Sequence, residues 1–435
     1  MIAVLFIGLG VLLALSVPIA VCIGGAPLMA MAYGGRIPQM FLAAQRMITA
    51  LDSTTLLAIP LFVLAGAIMG KGGISKQIVN LCYELFGWIP GSLGIVCVIA
   101  CMFFAAISGS APATVAAIGG ILVPAMIDDG YPAGFSAAVA ASGGIIGCII
   151  PPSIPFVNYA LITGESVSEL FAGGVVPGIL MGVALCIIVA IQAHKHHWGS
   201  RNKGIDFGRV AKSFAKAIWA ILMPVIILGG IYSGMFTPTE AAAVACVYGF
   251  IVSLVVYRAI KISDMMDISF EAVKTSAMIL FICATANIFS FIVSTQQVPA
   301  KLSAAVLGFT HSATLILLLI NIILLINGCF METTASTFIY TPILFPLIKK
   351  LGVDPVQFGV VIVMNLTMGL ITPPLGINLF VAEGLDKRVK FNEQVRAVIP
   401  LFIVLVIVLM LVTYVPDISL ALVKVLRASR AAAVH

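Results

Sequence analysis

The sequence predicts an all-α polytopic membrane protein built from two inverted repeats, each with a re-entrant hairpin and a broken helix. Three observations carry this. Of 435 residues, 61% are hydrophobic and only 9% charged, whereas a soluble domain carries roughly 25% charged residues. Uncharged runs recur at 1–35, 85–127, 135–162, 174–193, 356–382 and 397–415. Each is at or above the roughly 20 residues a helix needs to span a bilayer. Finally, two look-alike segments lie half a chain apart inside such runs, Gly147-Cys-Ile-Ile-Pro151-Pro152-Ser153 and Gly369-Leu-Ile-Thr372-Pro373-Pro374-Leu375. Their prolines remove backbone donors and break a helix. A break at membrane depth is tolerated only where it is buried or lines a cavity. Paired breaks in two halves point to a transporter's binding site.

Composition excludes several classes. The net charge of +6 sits on residues that flank hydrophobic runs rather than forming a stripe, so no nucleic-acid partner is expected. The nine cysteines are scattered with no CxxC pair and read as small hydrophobes. The 1–35 run lacks a basic start and is too long and apolar for a signal peptide. There is no Ser/His/Asp set, phosphate loop or nucleotide fingerprint, so energy must come from an ion gradient or a partner, and no enzymatic activity is expected. His194-Lys195-His196-His197 looks like a metal site but reads better as an interfacial basic flank.

The repeat shows as an offset near 222 residues. Ile121-Leu-Val-Pro124 matches Ile343-Leu-Phe-Pro346, Gly147 matches Gly369, and Pro151-Pro152 matches Pro373-Pro374. Residues 1–195 form the first repeat, 196–216 a basic cytoplasmic linker, and 217–435 the second repeat. The stretch after Ala193 carries Lys195, Arg201, Lys203, Arg209, Lys212 and Lys216 against Asp206, so it faces the cytoplasm. The loop with Glu165 and Glu169 faces out. Its counterpart, with Lys387, Arg388, Lys390 and Arg396, faces in, which makes the second half upside down. The 85–127 run is too long for one span and reads as a hairpin with its tip at Ser108-Gly109-Ser110-Ala111-Pro112. A second hairpin spans 312–348, its tip near Gly328–Ala335. Asp128-Asp129 then fall inside and Lys349-Lys350 outside, against the positive-inside trend. Arg36, Arg46, Lys71 and Lys76 read as interfacial anchors or contacts to a partner subunit.

Each half thus offers a hairpin tip and a break. Hydroxyls of Ser108 and Ser110 with backbone around Gly147, Ile150 and Pro152 form a first set of oxygen donors. Gly328, Thr333 and Thr334 with Gly369 and Thr372 form a second. Such donors suit a small hard cation, and one sodium ion per half is expected; half-helix N-termini would face an anionic substrate. Close helix packing is the competing reading for the serines and glycines. Glu332 is the only charged residue in 302–348. It is a substrate or cation candidate by default, unless it simply sits solvated at a water-filled mouth. Ser110, Ser153, Asn158, Glu332 and Asn378 are the substrate candidates; Asn365 lies nearby, and interhelical hydrogen bonding competes for the asparagines.

Ile107-Ser-Gly-Ser110-Ala, Ala141-Ser-Gly-Gly-Ile-Ile-Gly147 with its Ile-Ile-Pro-Pro-Ser-Ile-Pro continuation, Phe236-Thr-Pro-Thr-Glu240-Ala and Gly369-Leu-Ile-Thr-Pro-Pro-Leu-Gly resemble the large membrane subunit (M, or DctM-type) of tripartite ATP-independent periplasmic (TRAP) transporters. The resemblance covers essentially the whole chain. It implies an elevator-type carrier in the bacterial inner membrane, sodium-driven import of an organic acid, a periplasmic substrate-binding protein (P type) and a small four-helix membrane subunit (Q type). It also implies Ser108, Ser110, Gly147, Ile150 and Pro152 around one sodium, and Gly328, Thr333, Gly369 and Thr372 around another. C4-dicarboxylates, sialic acid and other sugar acids are the allowed substrates, and the serine-rich tip without paired arginines leans toward sialic acid. The alternative is a stand-alone sodium- or proton-coupled anion carrier without a binding protein. For Phe236-Thr-Pro-Thr-Glu240 the helix-capping reading is preferred.

Overall fold

The computed structural model describes residues 1–35, 40–89, 91–199, 204 and 206–434; Arg36, Arg201 and Lys203 lie outside them. No β-strand occurs among the described residues. The chain opens with α1 (Ile2–Ala14), α2 (Ile19–Tyr33), α3 (Met40–Leu51), α4 (Ala58–Lys71) and α5 (Ile74–Phe86). Next come α6 (Ser92–Ser108), α7 (Ala111–Thr114), α8 (Gly120–Asp128), α9 (Ala133–Gly144), α10 (Ile154–Thr163) and α11 (Val167–His196). After the linker follow α12 (Phe207–Tyr232), α13 (Pro238–Ile251), α14 (Met265–Thr295), α15 (Val298–Phe309), α16 (Ala313–Gly328) and α17 (Thr333–Lys350). The chain closes with α18 (Pro355–Gly369), α19 (Ile377–Glu383), α20 (Phe391–Tyr414) and α21 (Pro416–Val434). Among the described residues, seven helices are long and apolar enough to cross a membrane.

The structure adds to one sequence expectation and corrects another. The 1–35 run, though longer than a spanning helix needs, holds two shorter helices. Ser16 takes a left-handed turn at φ 57°, and α1 and α2 fold back on each other, so that Gly34 meets Met1 and Gly25 meets Leu12. Hydrophobicity alone could not reveal this turn, since Ser16-Val17-Pro18 carries no charge. The first hairpin begins at Ser92, not 85, because Leu85 and Phe86 complete α5, whose C-cap is Gly87.

The hairpins take different forms. α6 ends at Gly109, which is left-handed at φ 62°. The return arm starts with α7, passes through a π-helical turn at Val115–Gly119 and continues as α8. In the second hairpin α16 returns directly as the unbroken α17. Both Pro-Pro pairs are joined by cis peptides. The starts of α6 and α16, α9 and α18, α10 and α19, and α11 and α20 are separated by 221 to 224 residues.

The discordant charges at the hairpin bases find partners. Arg388 donates to Asp128 at 2.7 Å, which puts the base of the first hairpin on the face of the basic loop. Asp386 is held down at about 2 by the Arg388 guanidinium. That pair therefore persists at all pH above about 4 and is lost only as pH falls toward 2. At the opposite face, burial pushes the Glu165 carboxyl up, while Lys349 at the base of the second hairpin pulls it down. Arg427 of α21 ties together Glu169 at 2.8 Å and Asp354, the N-cap of α18, at 3.0 Å. At the first base an interhelical ion pair thus accompanies the charge that runs against the positive-inside trend, while at the second Lys349 lies over the Phe345 ring of its own helix.

Phe236-Thr-Pro-Thr-Glu240 is a capping box. The Thr237 amide donates to Glu240 at 2.8 Å and the Glu240 amide to Thr237 Oγ1 at 3.3 Å. Thr239 also donates to the Thr54 carbonyl at 3.0 Å, fastening α13 to the turn before α4. His196 stacks on Trp198 with ring centroids 4.7 Å apart.

Candidate functional site

The first hairpin tip is folded around hydroxyls. Thr114, one turn into the return arm, donates to the Ser110 carbonyl at 2.8 Å. With its single proton so used, it accepts from the Ser108 hydroxyl at 2.8 Å. The tip seats on the first break. The Ile154 amide donates to the Gly109 carbonyl at 3.4 Å, and a Cβ on Gly109 would stand 2.9 Å from the Pro152 carbonyl oxygen. A Cβ on Gly147 would stand 2.5 Å from Thr114 Oγ1 and 2.9 Å from the Ser110 carbonyl oxygen. The fold therefore gathers Ser108, Ser110, Gly147 and Pro152 at one place. Ile150 lies on the same turn, with its side chain packed against Gly178 of α11.

Thr114 belongs to this set and the sequence reading missed it. It was visible only as the last residue of a polar string. Its role depends on the backward bond to Ser110, which the short α7 and the π-helical turn set up. π-helical turns recur at functional sites.

The second tip meets the second break backbone to backbone. A Cβ on Gly369 would stand 2.2 Å from the Gly328 carbonyl carbon and 2.4 Å from its oxygen. The Leu375 amide donates to the Cys329 carbonyl at 3.3 Å. Thr372 donates to Met368 at 2.9 Å, while Thr333 Oγ1 is buried without a protein partner. Gly328, Gly369, Thr333 and Thr372 thus lie on the facing ends of tip and break, with the Thr334 amide turned to Glu332. Both sets offer oxygen alone, the chemistry that hard cations take, and neither needs a carboxylate.

The substrate candidates separate. Ser110 borders a cavity of about 350 Å³ between α4, α14 and the first hairpin. Ser153 is fully buried and caps α10, donating to the Cys148 carbonyl and accepting from the Phe156 amide at 3.3 Å. Asn158 is fully buried, and neither end of its amide has a partner among the described residues. Asn378 crosses between the halves, its Nδ2 donating to the Ala141 carbonyl at 3.1 Å. Asn365 joins Asn321 at 2.8 Å, and Asn321 joins Thr413 at 3.0 Å, a buried ladder binding α16 to α18 and α20.

Glu332 is the N-cap of α17, accepting from the Thr334 amide at 2.8 Å and the Ala335 amide at 3.2 Å. An acid there also suits the positive end of the helix. Replacing it with Ala is expected to cost about 1 kcal/mol, and replacing it with Ser, which caps as well, a few tenths. Thermal unfolding of the purified variants measures this. Equal melting temperatures for Glu332→Ala and wild type would remove the capping role.

A second cavity of about 260 Å³ is lined by Ser53, Leu161, Cys283, Asn287, Ser290 and Phe338, among others. The long α14 supplies a wall to both cavities, through Glu271, Ala272, Thr275 and Ile279 to the first and Cys283, Ala286, Asn287 and Ser290 to the second. At the mouth of the first cavity Lys71 pairs with Glu271 at 2.7 Å. Arg46 lies over the Phe291 ring at 4.0 Å. Lys71 and Glu271 are 200 positions apart and outside the repeat offset, so the sequence does not pair them.

Comparison with known proteins agrees with this architecture. Residues 6–418 match the family described as "Tripartite ATP-independent periplasmic transporter, DctM component". The chain is 44% identical over 421 residues to the "Isethionate TRAP transporter permease protein DctMQ" of Oleidesulfovibrio alaskensis; the match covers 96% of this chain and 65% of that protein, so the chain spans just under two thirds of that relative's length. It is 44% identical over 368 residues to the "C4-dicarboxylate TRAP transporter large permease protein DctM" of Pseudomonas aeruginosa, covering 85% of this chain and 86% of the relative. It is 41% identical over 381 residues to the "2,3-diketo-L-gulonate TRAP transporter large permease protein YiaN" of Escherichia coli, covering 88% and 89%. The solved structure of the Alcanivorax borkumensis YdaH transporter shares the fold, with a TM-score of 0.64 at 13% identity over 87% of this chain and 88% of that one. Taken with the apolar helices and the paired hairpins and breaks, these matches show that the chain belongs to the DctM family of TRAP transporters, as a multi-pass large permease of the inner membrane and not an enzyme.

Proposed function

We propose that this permease imports an organic acid across the inner membrane, driven by sodium, with one sodium ion in each half. The observation that carries this is the seating of each hairpin tip on a Pro-Pro break, with hydroxyl and carbonyl oxygens turned to the contact. A cation between tip and break draws the oxygens of both together, so its binding favours the closed seat. An ion gradient then does work because the seat that holds the acid forms best with sodium present.

In this reading residues 1–195 and 217–435 are the inverted repeats. The hairpins and breaks move as one body against α4, α13 and α14 in an elevator motion. A periplasmic binding protein delivers the acid, and a small membrane subunit of the Q type flanks the permease. The relatives' names cover a sulfonate, C4-dicarboxylates and a sugar acid; together with sialic acid, these define the substrates to screen.

The test is uptake of labelled succinate, isethionate, 2,3-diketo-L-gulonate and sialic acid into right-side-out vesicles holding the permease with its cognate partners, with and without a sodium gradient. Ser110→Ala and Thr372→Ala are each expected to raise the sodium concentration for half-maximal uptake by about tenfold, the loss of one hydrogen-bonding oxygen. Unchanged sodium dependence in both would refute the cation sites.

A further inference from the structure

The first cavity contains the Ser108–Ser110 tip, yet most of its wall is small and apolar, including Gly66, Ala67, Gly70, Ala113 and Ala116. Besides the tip, its polar lining is Thr275, Lys71 and Glu271. Lys71 is the one cation among the described residues that border it. An organic anion entering such a cavity loses water and needs a counter-charge, and hydroxyls alone do not supply one.

Gly66 packs against the tip, a Cβ there standing 3.4 Å from Ser108 Cα. Lys71 follows five residues later on the same helix, about 7.5 Å further along the axis. Ser110 and Lys71 line the same cavity, so one molecule could hold its hydroxyl or carboxyl end at Ser110 and its anionic end at Lys71. Lys71 Nζ already carries the Glu271 carboxylate at 2.7 Å, and both side chains are half or more exposed. Such exposed pairs hold weakly. Glu271 is thus an intramolecular competitor for the same cation.

The mouth lies on the face of the basic linker. Tyr257 donates to the Lys216 carbonyl at 2.7 Å, and Gly73, just beyond Lys71, packs against Ala259. By the positive-inside trend this is the cytoplasmic side.

We infer that Lys71 is the anion-recognising residue on the inner side of the permease and that Glu271 displaces the substrate's anionic group from it, promoting release. The inference rests on the organic-acid reading above. The Glu271 carboxylate and the substrate's anionic group exchange on one ammonium, so no bond is made or broken and the total charge at the site is unchanged once the acid has left.

The test uses right-side-out vesicles with the intact transporter, preloaded with unlabelled succinate, isethionate, 2,3-diketo-L-gulonate or sialic acid. The readout is the internal concentration that halves uptake of the same labelled acid. Lys71→Gln is expected to raise that concentration about tenfold, and Lys71→Arg to keep it within about threefold. Glu271→Gln frees the lysine and is expected to lower it at least threefold, with a slower maximal uptake because release is hindered. A plain staple between α4 and α14 would move Lys71→Gln and Glu271→Gln in the same direction, and that result overturns the inference. So does a wild-type permease that internal acid does not inhibit, or two variants that match it within twofold. If the wild type carries none of the four acids, the organic-acid reading fails first, which separates the two failures.

Discussion

Gly369→Val is expected to reduce sodium-dependent uptake to less than a tenth of wild type with the protein still present in the membrane. The new Cβ would fall 2.2 Å from a backbone carbon of Gly328, and backbone atoms cannot swing aside as a side-chain end can. Overpacking of this kind costs about 1–3 kcal/mol or more, and 1.4 kcal/mol is already tenfold. The tip of the second hairpin must lift from its break, opening the oxygen set that Thr333 and Thr372 complete. Gly10 gives the control, since a Cβ there meets nothing within 4 Å, and Gly10→Ala should transport normally. Uptake normalised to the immunoblotted protein decides the matter. Retention of half the activity by Gly369→Val would show that the tip need not seat.

Thr114→Val should raise the sodium concentration for half-maximal uptake by about ten- to a hundredfold. Valine keeps the shape but removes the hydroxyl that bonds both Ser108 and the Ser110 carbonyl. A buried group stripped of its partner costs about 1–3 kcal/mol. Thr114→Ser restores the hydroxyl and should recover most of the affinity. Sodium titrations of uptake, beside melting temperatures, separate ion binding from folding. A Thr114→Val protein with lowered stability and wild-type sodium affinity would place the threonine in the scaffold of the tip only.

The sequence reveals what backbone chemistry dictates. Gly147, Gly369 and the Pro-Pro pairs mark the breaks because only certain residues fit there, and their offset reappears in the starts of four helix pairs. Contacts made through side chains over long separations stay hidden. Thr114 acts through a bond back to Ser110. Lys71 finds Glu271 across 200 positions, and Asp128 finds Arg388 across 260. Glu332 has a structural place that the sequence does not show. A carboxylate in a hydrophobic run suggests function by its cost of burial, and the amides at the start of α17 offset part of that cost.

The two tips also differ in what they leave free to vary. The contact of Gly328 with Gly369 is main chain against main chain, so a side chain at either glycine would part the two. The first hairpin presents Ala113, Ala116 and Ala117 to the cavity, positions where a larger or polar residue would reshape the space without reaching the second seat. In the reading proposed above, substitutions at the first hairpin would alter which acid fits while leaving the Gly328–Gly369 contact as it is.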